Sequence, residues 1–255
     1  MERKYPAEAF ALGIFLFSTG MKEAFAAGIL VILSVTAAQW VKELLEEAIP
    51  RWSLCLCVGI ASGSLSASVF LLGFTVLGIG LTDGMWIMTF ILGLFCAWYV
   101  LEGKTEGEYG ELFYESGILW GLWVLLAAVR EFMGTGAVFE NLLYEGEFQS
   151  KAFMGGTFAF LTAALVLALG NGLLKAEEKN KRGFFILIPA VIFLRPFTMD
   201  RYGELIGLLW TAAVPLILFF SVKKILRFSR LPKAFRGLPA DLMAMGFIYM
   251  ILSVY

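Results

Sequence analysis

The stretch Gly117–Gly136, GILWGLWVLLAAVREFMGTG, decides how the rest of the chain is read. From Gly117 to Val129 it holds only apolar residues and glycine, and Arg130 and Glu131 then stop the run. A helix from Leu112 to Met133 would be roughly 30 Å long, the thickness of a bilayer's hydrocarbon core. Gly134 and Gly136 follow, where a helix ending calls for residues that tolerate positive φ. The cadence recurs: Gly28-Ile29-Leu30-Val31, Gly117-Ile118-Leu119-Trp120 and Gly207-Leu208-Leu209-Trp210 each open a long apolar run. Those runs end in charge, at Lys42-Glu43, Arg130-Glu131 and Lys223-Lys224. Three copies of one unit are the expectation, each built around such a helix.

Composition agrees. Of 255 residues, 60% are hydrophobic and 16% charged, against roughly 25% charged in an ordinary soluble domain. One globular core cannot hide that excess, so lipid is the expected solvent. A net charge of −1 gives no reason to expect a nucleic-acid partner. The chain has no histidine, which excludes His-ligated haem, His metal sites and His proton relays. Three cysteines inside apolar runs do not make a disulfide framework. No cleavable signal peptide is evident, because the first apolar run lacks a small-residue cleavage site.

Taken in order, Ala9–Phe17 is a run of about half a bilayer, broken by Ser18-Thr19-Gly20. Ala24–Val41 is a full span, and Glu43 to Pro50 reads as a loop. Trp52–Leu81 is longer than a crossing needs, with Ser62, Ser64, Ser66 and Ser68 among glycines; tilt or a kink is expected. Met85–Leu101, the opening stretch itself and Ala152–Leu174 form the second unit, the last expected to break at Gly170-Asn171-Gly172. The polar segment Lys175–Arg182 is the candidate boundary. Phe184–Leu194, Leu205–Val222 and Leu238–Tyr255 form the third unit. The expected fold is an all-α polytopic membrane protein of about nine transmembrane segments. These fall in three inverted three-helix units, since an odd number of crossings per unit inverts its successor.

Charge tests the topology. With nine crossings and an inside N-terminus, the inside segments carry 15 of the 20 Lys and Arg, the asymmetry that the positive-inside rule requires. The C-terminus then lies outside. No carboxylate falls at the centre of a full span, which counts against a carboxylate-relay proton pump within this chain alone.

Two motifs resemble a known family. Arg130-Glu131-Phe132-Met133-Gly134-Thr135-Gly136, with Phe139 after it, is similar to the R-E-I-L-G-N-G-x-x-F stretch of the Rnf E type. Pro232, Ala234-Phe235-Arg236-Gly237 and the run Leu242–Phe247 resemble the P-A-P-F-R-G stretch and last helix of the Rnf A type. The chain thus resembles the paired integral-membrane subunits of Rnf and of the Na⁺-translocating NADH:quinone oxidoreductase, Nqr. The resemblance implies a six-helix E-like module over residues 1–180 and half of an A-like module over 183–255. It further implies a bacterial or archaeal cytoplasmic membrane, other membrane and redox subunits as partners, and a non-catalytic part in electron transport coupled to Na⁺ or H⁺ translocation. In that family each subunit gives two cysteines to a shared [2Fe–2S] cluster. Cys96 stands at one such position; the others fall near Gly13 and Phe193, which are not cysteines. One ligand of four holds a cluster only if partner subunits supply three.

The candidate site residues each carry a plainer alternative. Cys96 is a cofactor ligand or a small buried apolar residue. Arg130 and Glu131 are a functional pair or an interfacial helix end. Arg195 follows a half-length run and precedes a proline, where interrupted helices place functional charge, or it snorkels to the surface. Cys55 and Cys57 lie two apart and face different ways on a helix. No residue is assigned to catalysis or to a metal. A stand-alone secondary transporter of a small solute or ion, and a non-redox scaffold subunit, remain open beside electron transport.

Overall fold

The computed structural model describes residues 5–81, 83–103, 109–144, 146, 149–175, 184–194, 203–225 and 232–252. Among them are nine α-helices: α1 (Ala7–Phe17), α2 (Met21–Glu46), α3 (Arg51–Val76), α4 (Asp83–Glu102), α5 (Tyr109–Thr135), α6 (Gly156–Leu174), α7 (Phe184–Leu194), α8 (Glu204–Ile225) and α9 (Leu238–Leu252). A two-stranded hairpin, β1 (Ala137–Val138) and β2 (Asn141–Leu142), and a 3-10 turn over Lys151–Met154 join α5 to α6. Six helices (α2 to α6, and α8) are long and apolar enough to cross a membrane; α1 and α9 are shorter apolar helices. The chain is an all-α protein with membrane-spanning character.

α1 is the centre of the core. All of its residues are buried, and it packs against α2, α4, α6 and α7. Its aromatic side chains reach α5 and α3 as well as α6: Phe10 meets Trp123 of α5 edge-on, Phe15 packs on Phe160 of α6, and Phe17 stacks on Phe70 of α3 and lies tilted against Phe74. The tightest helix pair is α3 with α4. A Cβ on Gly93 would stand 2.4 Å from the Ser62 carbonyl oxygen and 2.7 Å from the Gly63 Cα. Ser62 and Ser66 are buried in this crossing, so small residues let two backbones meet.

Helix ends gather at two levels. At one, Tyr5 ahead of α1 donates to Asn171 near the end of α6, and Asn171 Nδ2 donates to the Ala234 carbonyl at 3.2 Å. Lys42 at the end of α2 donates to the Val100 carbonyl (3.2 Å) and the Gly103 carbonyl (3.4 Å) at the end of α4, and Tyr109 opening α5 donates to Glu43 at 2.6 Å. Lys223 of α8 pairs with Asp241 of α9 at 2.7 Å. At the other level, the end of α1 meets the end of α5 and the entry to α6, as described below.

Several boundaries differ from the sequence reading. α2 does not stop at Val41: it runs to Glu46, because Lys42 caps α4 and Glu43 is held by Gln39 (2.8 Å) and Tyr109. α3 stops at Val76 rather than Leu81. Gly78 turns left-handed (φ 71°), and the Ile79 N–H closes on the Phe74 carbonyl at 2.9 Å, a glycine-driven helix ending. α6 passes unbroken through Gly170-Asn171-Gly172 and ends at left-handed Lys175 (φ 51°); tertiary bonds to Asn171 support the helix there. Between α5 and α6 the chain forms the β1–β2 hairpin and the 3-10 turn, elements on which the sequence reading is silent. The Lys175–Arg182 boundary lies almost wholly outside the described residues.

Candidate functional site

Arg130 and Glu131 lie in the last turns of α5, both buried (4% and 6% exposed). A charge so placed needs a full set of partners. Arg130 Nε donates to the Phe153 carbonyl at 2.7 Å, and Nη2 to the carbonyls of Met154 (3.0 Å) and Gly155 (2.8 Å). Its Nη1 donates to the Ser18 hydroxyl. The guanidinium fork therefore ties the end of α1 to the three carbonyls that precede α6. Glu131 faces the other way. Its Oε2 accepts from the Met21 N–H at 2.7 Å and its Oε1 from the Glu140 N–H at 2.9 Å. The Met21 N–H opens α2, where a helix leaves amides unpaired and favours a carboxylate. The pair, at the end of α5, is a node joining α1, α2, α5, α6 and the hairpin.

A cavity of about 180 Å³ adjoins the node. Phe17, Phe74, Met85 and Phe193 give it apolar walls from α1, α3, α4 and α7; Thr19, Glu23 and Arg130 give it a polar end. Thr19 Oγ1 donates to Glu23 Oε2 at 2.5 Å. Arg130 spends its donors on the chain's own oxygens, so it positions the surrounding loops and adds positive charge to the cavity wall. Glu23 supplies the opposing charge. Such a chamber suits a small, largely apolar molecule with one polar group, or a partly dehydrated ion.

Cys96 is fully buried in α4 as a free thiol. Cys55 and Cys57 are exposed on α3, and among the described residues no three Cys, Asp or Glu side chains gather as a metal site. Near Gly13, where the resemblance would put a second cysteine, the space is narrow. A Cβ on Gly13 would lie 3.0 Å from Trp123 Cη2 and 3.3 Å from Val31 Cγ2. Phe193, at the other family position, lines the cavity wall with its ring. The residues present do not fit a [2Fe–2S] cluster held by this chain. Arg195 lies outside the described residues.

Sequence reasoning singled out Arg130 and Glu131 but missed Ser18, Thr19 and Glu23. A signal existed: Ser18-Thr19-Gly20 ends a short apolar run, and an acid follows Thr19 by four residues, as at a helix start. No protein-family model, curated protein or solved structure matches the chain.

Proposed function

We propose that the chain is an integral-membrane subunit of an Rnf/Nqr-like electron-transport complex, coupling redox chemistry elsewhere in the assembly to Na⁺ or H⁺ translocation and holding no cluster alone. The observation that carries this reading is the pairing of the helices. α1 packs on α4 and α2 on α5, while α1 packs on α6 as α4 packs on α3. Exchange of the first three helices with the next three maps these four pairings onto one another, as two inverted units would, while α1 against α2 and α2 against α4 have no such counterpart among the main helix pairs. The third unit, α7 to α9, joins through α7 against α1 and α4 and through α9 against α6. In this reading the N-terminus is inside and the C-terminus outside the cytoplasmic membrane, and other membrane and redox subunits are the partners.

Affinity purification from native membranes tests it. The expected result is copurification with flavin- or iron–sulfur-bearing subunits, with iron and acid-labile sulfide that persist in Cys96→Ser. Iron lost from the assembly in Cys96→Ser would restore Cys96 as a ligand supplied to a shared cluster. A chain that purifies alone and is active alone would end the subunit reading. The cavity favours a second reading, a small-solute or ion transporter, because it sits where two short helices end beside Arg130 and Glu23. Uptake by vesicles reconstituted with the chain alone, abolished by Glu23→Gln, would establish that alternative.

A further inference from the structure

The hairpin after α5 carries a feature that the node does not explain. Ala137 pairs with Leu142 and Val138 with Asn141, leaving Phe139 and Glu140 as a two-residue turn. Both turn residues have positive φ, 57° and 64°. Turns of this kind favour Asn and Gly, and a bulky side chain there is strained. The surroundings hold the strain in place. Glu131 accepts the Glu140 N–H, Lys22 pairs with the Glu140 carboxylate at 3.1 Å, and the Leu143 and Tyr144 N–H groups both close on the Gly136 carbonyl (3.0 and 3.1 Å). A Cβ on Gly136 would stand 2.0 Å from the Tyr144 carbonyl oxygen, so the base of the hairpin is shut.

This rigid support presents Phe139, Leu142, Leu143 and Tyr144, which are 46%, 58%, 66% and 57% exposed. The one charge on the tip, Glu140, is drawn back to Lys22, and Asn141 satisfies itself on the Phe139 carbonyl at 3.1 Å. The projecting surface is therefore apolar and aromatic around one neutralised ion pair, whose Glu140 side chain stays 69% exposed. It continues from Val129 and Phe132 (51% and 39% exposed), on the last turns of a helix long and apolar enough to cross a membrane. Aromatic residues just beyond the end of a span lie at headgroup level.

We propose that the Phe139–Tyr144 hairpin is an interfacial anchor, with Phe139, Leu142, Leu143 and Tyr144 lying in the headgroup–acyl boundary of the bilayer around α5. The inference rests on the membrane reading of the chain. Depth is measured with nitroxide labels at Leu142→Cys and Leu143→Cys, made in a Cys55→Ala/Cys57→Ala background and reconstituted into phosphatidylcholine vesicles. Leu125→Cys, mid-span on α5 and 60% exposed in its native leucine, is the lipid control. The expected result is that labels at 142 and 143, like that at 125, collide more with oxygen than with a water-soluble nickel chelate. Chelate-dominated collision at both hairpin positions, with lipid exposure at 125, overturns the anchor and leaves the membrane reading standing. Labels at 142 and 143 shielded from both reagents overturn it too, since protein then covers the hairpin. Chelate dominance at 125 as well removes the membrane reading itself.

Discussion

α1 and α7 are both eleven-residue apolar helices, yet their surroundings differ. α1 has no exposed residue. α7 buries Ile186, Leu187, Ala190 and Val191 but leaves Phe185 half exposed. The helices that pack on them follow suit: 61% of the apolar window of α6, which packs on α1, is buried, against 22% in α8, which packs on α7. A helix of this length, about 16 Å, cannot reach across a bilayer core, so its end groups must be satisfied by protein. At α1 protein holds the residues flanking both ends: Tyr5 donates to Asn171 on one side, and Ser18 accepts from Arg130 on the other. Equal length thus specifies a short helix but not whether it becomes the axis of the core or part of its flank, and the more apolar of the two, α7, is not the one at the centre.

The strongest way to break this contrast is to remove the pin at the end of α1. Arg130→Ala strips four hydrogen bonds from Ser18, Phe153, Met154 and Gly155. Its expected cost is on the order of 3–5 kcal/mol, read as a large drop in Tm in detergent. Arg130→Lys should recover only part, because an ammonium cannot serve a planar fork of acceptors. A Tm equal to wild type in Arg130→Ala would show that α1 is held by packing alone.

Next comes the α3–α4 crossing. Gly93→Ala drives a methyl against the Ser62 carbonyl and Gly63 Cα, two backbone groups that cannot swing aside, at an expected cost of about 1–3 kcal/mol. Gly117→Ala should do the reverse. Nothing lies within 4 Å of its added methyl, and loss of an unneeded helix glycine gains about 0.5–1 kcal/mol. Thermal unfolding of the two variants side by side checks the sign; destabilisation by Gly117→Ala would indicate a contact on that face.

The smallest effect is expected on the flank. The pair's lysine side chain is 49% exposed and that of Asp241 11%, so Lys223→Met alone would leave a buried carboxylate without its partner. The neutral double variant Lys223→Met/Asp241→Asn avoids this, and its expected cost is below about 1 kcal/mol. A loss as large as that of Arg130→Ala would mean that α8 and α9 are held as tightly as α1.

Helices were legible because long apolar runs and their terminal charges report on lipid and water directly. Phe184–Leu194 emerged with the bounds read from sequence, and the short first run and the long Gly117 run became α1 and the middle of α5. The repeated glycine cadence was less faithful as a sign of equivalence. A Cβ on Gly28 would stand 2.0 Å from Trp120 Cδ1, while Gly117 faces open space. Similar sequence signals serve close packing in one unit and nothing comparable in the next. Ser62 and Ser66 of α3, in the stretch whose sequence leads one to expect tilt or a kink, lie buried against Gly93 of α4 within one continuous helix.

By itself, the sequence determined that this is an all-α chain with long apolar helices, because periodic burial is unnecessary where the solvent is lipid and each backbone bond must close within its own helix. It also marked Arg130 and Glu131 as charges at a helix end. Only the tertiary structure decided what those charges do. Their partners are backbone groups of residues 21, 140 and 153–155 and the Ser18 hydroxyl, and a backbone amide or carbonyl leaves no trace in the residue type that bears it. The same holds at Gly13, where only the fold brings Trp123 and Val31 close against the glycine.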